Sequence, residues 1–162
     1  MHNSHKVDDL GSSPKWPTNS GDLDRIMTNQ IVYKPWGYYQ ILLSEPGYLV
    51  KKLVIDPGHR ISLQIHKHRT EYWTIVQANK ATLTLSALPP MELDKTEEFP
   101  IGKGDQWTID KGEIHRLSCQ GPDPLVLIEV QMGDILDEND IERLEDDYQR
   151  IKYPIYKKED GL

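Results

Sequence analysis

The chain has 162 residues and a mass of 18.7 kDa, and 37% hydrophobic with 28% charged residues is the balance of one soluble globular domain. No apolar run approaches the roughly 20 residues that span a bilayer, so a membrane protein is not expected. The net charge of −7 arises between Asp134 and Asp147, whereas a nucleic-acid binder would carry a basic excess. The single cysteine, Cys119, and an N-terminus without a signal-peptide pattern predict a cytoplasmic protein.

The order of elements along the chain predicts an all-β domain between two tails. Residues 1–30 mix Ser, Asn, Asp, Gly and Pro without a period, which predicts a flexible N-terminal tail. Short runs rich in β-branched and aromatic residues, separated by Pro and Gly turns, then predict strands at 37–43, 48–55, 61–66, 71–76, 81–87, 105–109, 115–119 and 125–131. This spacing is typical of an antiparallel sandwich or barrel.

The last part of the predicted domain carries a helical pattern. Ile141, Leu144, Tyr148 and Ile151 fall on one stripe, which predicts a short C-terminal helix over residues 140–151. Acidic residues in its first half suit a helix N-terminus. The predicted domain therefore covers residues 31–152, and residues 153–162 form a C-terminal tail.

Polar side chains recur at every second position between residues 58 and 71. Alternate residues of a strand face a barrel interior, and the residues that share this inward parity are Arg60, Ser62, Gln64, His66 and, less securely, His68. A turn then allows Glu71 to bring a carboxylate to the same cavity. Nitrogen and oxygen ligands of this kind suit Zn²⁺, Fe²⁺, Mn²⁺, Co²⁺ or Ni²⁺, and the ligand types do not choose among these.

Two segments resemble the motif pair of the cupin superfamily. The first, with the spacing Gly-x5-His-x-His-x(3,4)-Glu-x6-Gly, corresponds to Gly58, Gln64, His66, Glu71 and Ala78. The second, Gly-x5-Pro-x-Gly-x2-His-x3-Asn, corresponds to Gly104, Asp110, Gly112, His115 and Cys119. The resemblance implies a double-stranded β-helix, the jelly-roll barrel of cupins, and a metal held by Gln64, His66, Glu71 and His115. In this alignment His68 is not a ligand.

With a Gln in the first ligand position, the chain resembles phosphomannose isomerases, which hold zinc with Gln, His, Glu and His. The short type II form, often fused to a mannose-1-phosphate guanylyltransferase of GDP-mannose and polysaccharide biosynthesis, resembles this chain over about residues 33–150. The shared strings include Lys34-Pro-Trp-Gly-Tyr38, Pro57-Gly-x-Arg60-x-Ser62-Leu-Gln64, His66-x-His68-Arg-x-Glu71-x-Trp73, His115-Arg-Leu, Leu127-Ile-Glu-Val-Gln131-x-Gly133 and Asp140-Ile-x-Arg143-x-x-Asp146-x-Tyr148-x-Arg150. We expect no guanylyltransferase half, because 162 residues leave no room for a nucleotide-binding domain.

The resemblance predicts an isomerase that interconverts mannose 6-phosphate and fructose 6-phosphate. A divalent metal, for which Zn²⁺ is the expected ion, would act as the Lewis acid. Lys51, Arg60 and Arg150 are the candidates to bind the phosphate or the developing charge. Arg150 is also implied to fold over the barrel mouth and take part in isomerisation. His68 and Glu129 are the candidate bases. Lys67 and Arg69 are interpreted as ordinary surface charges.

Three other functions fit the same residues. Two histidines and a carboxylate also form the iron site of Fe(II)-dependent dioxygenases, in which Gln64 would be a spectator. The chain could also be a non-catalytic sugar-binding cupin, or an isomerase of another sugar phosphate. The predicted partners are a small sugar phosphate and a second copy of the chain in a homodimer, with no nucleic acid and no membrane.

Overall fold

The fold consists of two antiparallel β-sheets. The structure, a computed structural model, describes residues 29–86 and 95–151. The strands are β1 (Ile31–Lys34), β2 (Gly37–Glu45), β3 (Tyr48–Ile55), β4 (Leu63–Ile65), β5 (Arg69–Gln77), β6 (Ala81–Ser86), β7 (Thr96–Ile101), β8 (Gln106–Ile109), β9 (His115–Cys119), β10 (Leu125–Gly133) and β11 (Glu142–Glu145). A six-stranded sheet has the order β1-β2-β3-β10-β5-β8, and a five-stranded sheet has the order β11-β4-β9-β6-β7.

The eight strands predicted from the sequence are all present, with boundaries that shift by a few residues. Three strands were not predicted, β1, β7 and β11, and all three form sheet edges. An edge strand tolerates charges and Pro because one row of its backbone groups needs no partner, so β7 can contain Glu97, Glu98 and Pro100. Apart from residues 29 and 30, the predicted N-terminal tail lies outside the described residues, as does the predicted tail 153–162.

The predicted C-terminal helix is wrong, because residues 142–145 form strand β11, which pairs with β4. Pairing with the otherwise open edge of β4 satisfies backbone groups that a helix would bond internally. Leu144 packs beside Leu63 and Ile65, while Tyr148 packs against the main core. The residues that would share one helical stripe therefore contact two different clusters. Within the described ranges, no helix is long and apolar enough to cross a membrane.

The space between the sheets is apolar at one end and polar at the other. Odd-numbered residues of β3, β5 and β10 point into it, as their alternating burial shows. At one end these residues are Leu53, Ile55, Trp73, Ile75, Leu125 and Leu127, which join the main hydrophobic core. At the other end they are Lys51, Arg69, Glu71, Glu129 and Gln131, all of them buried. Burial of each large apolar side chain stabilises the folded state by roughly 1.5–3 kcal/mol. This stabilisation offsets the cost of burying the polar residues at the other end.

Gly133, the last residue of β10, lies opposite Arg69 at this polar end. A Cβ at position 133 would lie 2.2 Å from the His68 carbonyl oxygen and 3.0 Å from the Arg69 Cα, and neither backbone atom can yield easily. We therefore expect Gly133→Ala to lower the free energy of unfolding by about 1–3 kcal/mol in urea denaturation. Gly102→Ala is the control, because its Cβ would meet nothing closer than the Asp105 Oδ2 at 3.9 Å. Equal urea midpoints for the two variants would contradict this account.

Candidate metal centre

Three buried side chains from different elements converge at the polar end of the barrel. His66 directly follows β4, Glu71 lies on β5 and His115 begins β9. Their ligand atoms all lie within 4.8 Å of one another. The His66 Nε2 is 3.3 Å from the Glu71 Oε1, and the His115 Nε2 is 4.0 Å from the Glu71 Oε2. Two imidazoles and a carboxylate at this separation can share one divalent cation.

Gln64 completes this group from β4, where it pairs with His115 across the strands. Its Nε2 lies 3.2 Å from the His66 Nε2 and 3.4 Å from the His115 Nε2, and its Oε1 accepts a hydrogen bond from the Ser62 hydroxyl at 2.6 Å. A half-turn of the amide would direct Oε1, the atom that binds cations, toward the two histidines. Gln64, His66, Glu71 and His115, the four ligands implied by the resemblance, are thus together.

The two histidines are prepared to bind a metal. Their Nδ1 atoms face backbone carbonyls, His66 that of Asp140 at 2.5 Å and His115 that of Glu113 at 3.0 Å. These contacts place the Nδ1 protons and leave each unprotonated Nε2 as the electron-pair donor of its ring. Burial is the largest cause that lowers the pKa of His66 to about 4 and of His115 to about 3. Both rings are neutral at physiological pH, so this donor set fits a divalent cation.

Arg69 is a part of the site that the sequence interpretation missed. It is only 5% exposed, so its assignment as surface charge is wrong. Its Nε donates to the Glu71 Oε1 at 2.8 Å, and its NH1 donates to the carbonyls of Asp137 and Asp140 at 3.2 and 3.3 Å. Arg69 shares the parity of Glu71 and Trp73, a signal that could have placed it inside. It joins the carboxylate of the cluster to the segment that orients His66.

A second buried carboxylate, Glu129, lies beside the cluster. The Gln131 amide donates to the Glu129 Oε1 at 2.6 Å and to the Glu71 Oε1 at 3.2 Å, so it bridges the two acids. The Trp73 Nε1 donates to the other Glu129 oxygen at 3.1 Å. Burial, followed by the neighbouring Glu71, raises the pKa of Glu129 above its ordinary value, while Lys51 opposes this shift. Glu129 can therefore hold a proton closer to neutral pH than an exposed acid can.

Of the predicted phosphate-binding residues, only Lys51 is inside the barrel. Its buried ammonium lies opposite Glu129 on the neighbouring strand, forms an ion pair with Glu138 and lies 4.5 Å from the centre of the Tyr39 ring. Arg60 departs from the inward parity predicted for it, because it is exposed and binds Asp147 through two hydrogen bonds of 2.7 and 2.9 Å.

The structure places the other two predicted catalytic residues outside the cluster. Arg150 follows a turn in which its backbone N–H and guanidinium both donate to Asp146, and its guanidinium lies 5.2 Å from the centre of the Tyr148 ring. The His68 side chain is exposed and lines an open surface cavity of about 320 Å³ together with Lys67 and Asp137. Of the three predicted catalytic residues, the structure brings only Glu129 to the cluster.

Comparison with known sequences finds matches over most of this chain. The family described as mannose-6-phosphate isomerase C-terminal matches residues 22–146. The alginate biosynthesis protein AlgA of Pseudomonas aeruginosa is 41% identical over 76% of the chain and 24% of its own length. The mannose-1-phosphate guanylyltransferase ManC of Salmonella typhimurium is 37% identical over 74% of the chain and 23% of its own length. The chain thus spans about a quarter of these curated relatives.

Comparison with solved structures identifies the fold. The capsular polysaccharide assembling protein CapF of Staphylococcus aureus superposes with a TM-score of 0.61 and 19% identity, over 72% of this chain and 34% of CapF. An oxalate decarboxylase of Lactobacillus farciminis superposes with a TM-score of 0.59 and 19% identity, over 75% of this chain and 34% of the enzyme. A cupin domain of Schizosaccharomyces pombe Cnp3 matches with a TM-score of 0.51. The two-sheet barrel described above is therefore a cupin double-stranded β-helix.

Proposed function

The chain belongs to the mannose-6-phosphate isomerase C-terminal family of cupin domains, and on this basis we propose that it interconverts mannose 6-phosphate and fructose 6-phosphate. The observation that carries the proposal is the buried convergence of His66, Glu71 and His115 within the segment that matches this family. The proposal concerns isomerisation alone, because the matched relatives contain this segment as 24% or less of their length.

Gln64, His66, Glu71 and His115 would hold a divalent metal, for which we propose Zn²⁺ because borderline nitrogen and oxygen donors suit it. When bound, the ion would supply Lewis-acid polarisation of the substrate oxygens. Arg69 and Gln131 fix the Glu71 carboxylate through hydrogen bonds of 2.8 and 3.2 Å. Held in this way, Glu71 would act as a metal ligand and is not free to carry a proton.

Glu129 is our candidate for the proton carrier. Isomerisation of an aldose to a ketose moves a proton between C1 and C2, so one group must accept that proton and return it. Glu129 lies beside the cluster, and burial raises its pKa, which brings it closer to the range where a carboxyl group can both accept and donate. Lys51 on the opposite strand supplies positive charge next to the oxyanion that develops as the proton leaves.

A coupled assay tests the proposed reaction and its metal dependence together. Fructose 6-phosphate formation from mannose 6-phosphate is measured on protein of known metal content, after chelation and after addition of Zn²⁺. We expect chelation to abolish turnover and Zn²⁺ to restore it, because the bound ion would supply the Lewis acidity that the reaction requires. Turnover that persists in fully metal-free protein would contradict the proposal.

The same preparation distinguishes the alternatives. A full metal site without isomerisation would indicate a binding protein or an oxygenase, and oxygen uptake by iron-loaded protein would separate these two. Other aldose phosphates in place of mannose 6-phosphate would identify a different isomerase. The homodimer and the cytoplasmic location expected from the sequence stay predictions.

A further inference from the structure

Arg143 differs from the other arginines in the described ranges because it has no carboxylate partner. The remaining four form ion pairs or hydrogen bonds with acids, namely Arg60 with Asp147, Arg69 with Glu71, Arg116 with Glu145 and Arg150 with Asp146. Arg143 is half-buried, and its Nε is buried without a hydrogen-bond partner among the described residues. A guanidinium is normally paired when it leaves water, so this one requires an explanation.

The position of Arg143 relates it to the candidate metal centre. On β11 it lies directly opposite Gln64 of β4, and residues opposite each other in an antiparallel pair project from the same face. Gln64 uses that face to contact the Nε2 atoms of His66 and His115. The register shifts after Arg143, and the next residue, Leu144, packs with Leu63 and Ile65. The direct pairing with Gln64 therefore places the Arg143 side chain on the face of the candidate metal ligands.

The surroundings of Arg143 do not neutralise its charge. Burial, followed by the positive charge of Arg150, lowers its pKa. The nearby acids Asp146 and Glu138 oppose this effect, but Asp146 binds Arg150 and Glu138 binds Lys51. The fold gains nothing from holding an unpaired cation against a second arginine. An anion from outside the chain would satisfy both the free guanidinium and the buried Nε–H.

We propose that Arg143 binds the phosphate group of the sugar phosphate, an inference that rests on the proposed isomerase function. The hexose chain separates the phosphate on C6 from the reacting carbons C1 and C2, so the anion requires a cation beside the metal ligands and not among them. A guanidinium fork matches phosphate oxygens in two parallel hydrogen bonds. Arg143 takes over the role predicted from the sequence for Arg60, whose guanidinium already binds Asp147.

Calorimetric titration of the zinc-loaded full chain tests this assignment with two probes, mannose 6-phosphate and mannose. We expect Arg143→Gln to weaken mannose 6-phosphate binding by roughly 10- to 100-fold, the range for loss of charge-assisted hydrogen bonds. Mannose lacks the anion, so its binding should be the same in both proteins. Arg60→Gln is the matched control and should bind mannose 6-phosphate as the wild type does. Arg143→Lys should recover part of the affinity, because it restores the charge without the fork.

Metal content and thermal unfolding distinguish binding from a structural role. Neither should fall in Arg143→Gln, because no protein partner is lost. Wild-type affinity of Arg143→Gln for mannose 6-phosphate would overturn the inference, as would an equal loss in Arg60→Gln or no binding to the wild type. If sugar-phosphate binding depends on Arg143 but no fructose 6-phosphate forms, the proposed isomerase fails and the anion site stands. If turnover occurs and binding does not depend on Arg143, the isomerase stands and the anion site fails.

Discussion

A His115→Leu variant is expected to bind no stoichiometric divalent metal, and the proposed isomerase turnover should fall by at least about 100-fold. That factor is the upper range for loss of a residue that merely supports a ligand. His115 is fully buried, and its Nε2 is one of the three ligand atoms that converge in the barrel. Leu fills a similar volume but donates no electron pair, so the three remaining ligands, Gln64, His66 and Glu71, should not retain the ion. Elemental analysis of the purified protein and the coupled assay measure the two effects.

His68→Leu is the matched control for this variant. His68 is two residues from His66 but its side chain is exposed, so the same substitution should leave the metal content unchanged. A cooperative thermal transition in both variants shows that they fold. Loss of metal in His68→Leu, or full metal content in His115→Leu, would refute the assignment of ligands. Turnover in metal-replete His68→Leu also tests whether His68 acts as a base.

The cluster of candidate metal ligands could be predicted from the sequence because strand alternation relates side-chain direction to position. Gln64 and His66 lie two residues apart at the same end of the barrel, and Glu71 and Trp73 follow with their own common parity on β5. The alternation fails at Arg60, which precedes β4 and forms only an isolated bridge to Ser118. Because Arg60 is not part of a continuous strand, the side-chain direction of β4 cannot be extended to it. Its side chain points to solvent.

The C-terminal residues were harder to predict because their structure depends on distant partners. The spacing of Leu144 and Tyr148 satisfies a helical period, but nothing in the local sequence reveals that β4 has an open edge for pairing. The charge of Arg69 suggested a surface position, since burial of an arginine is favourable only when partners are present. Those partners are Glu71 and the backbone carbonyls of Asp137 and Asp140, and only the folded chain brings them together.

Replacement of Arg69 by Met should lower the free energy of unfolding of the metal-free protein by roughly 3–5 kcal/mol, the usual result when one partner of a buried ion pair is removed. Met fills much of the space, but Glu71 then loses its charged partner while it remains beside Glu129. Asp137 and Asp140 also lose a donor to their backbone carbonyls. Because the Asp140 carbonyl orients His66, turnover should fall as well. Urea denaturation and the coupled assay measure these effects.

Lys67→Met provides the comparison within the same segment. The Lys67 side chain is 64% exposed and pairs with a half-exposed Glu142, so its loss should change the free energy of unfolding by only about 0–1 kcal/mol. Both variants remove one positive charge, and therefore any difference between them arises from burial and contacts, not from net charge. Similar small changes in the two variants would mean that Arg69 does not hold the Glu71 carboxylate to the segment that contains Asp137 and Asp140. A large loss confined to Arg69→Met would identify this arginine as the residue that positions the polar end of the barrel for the metal.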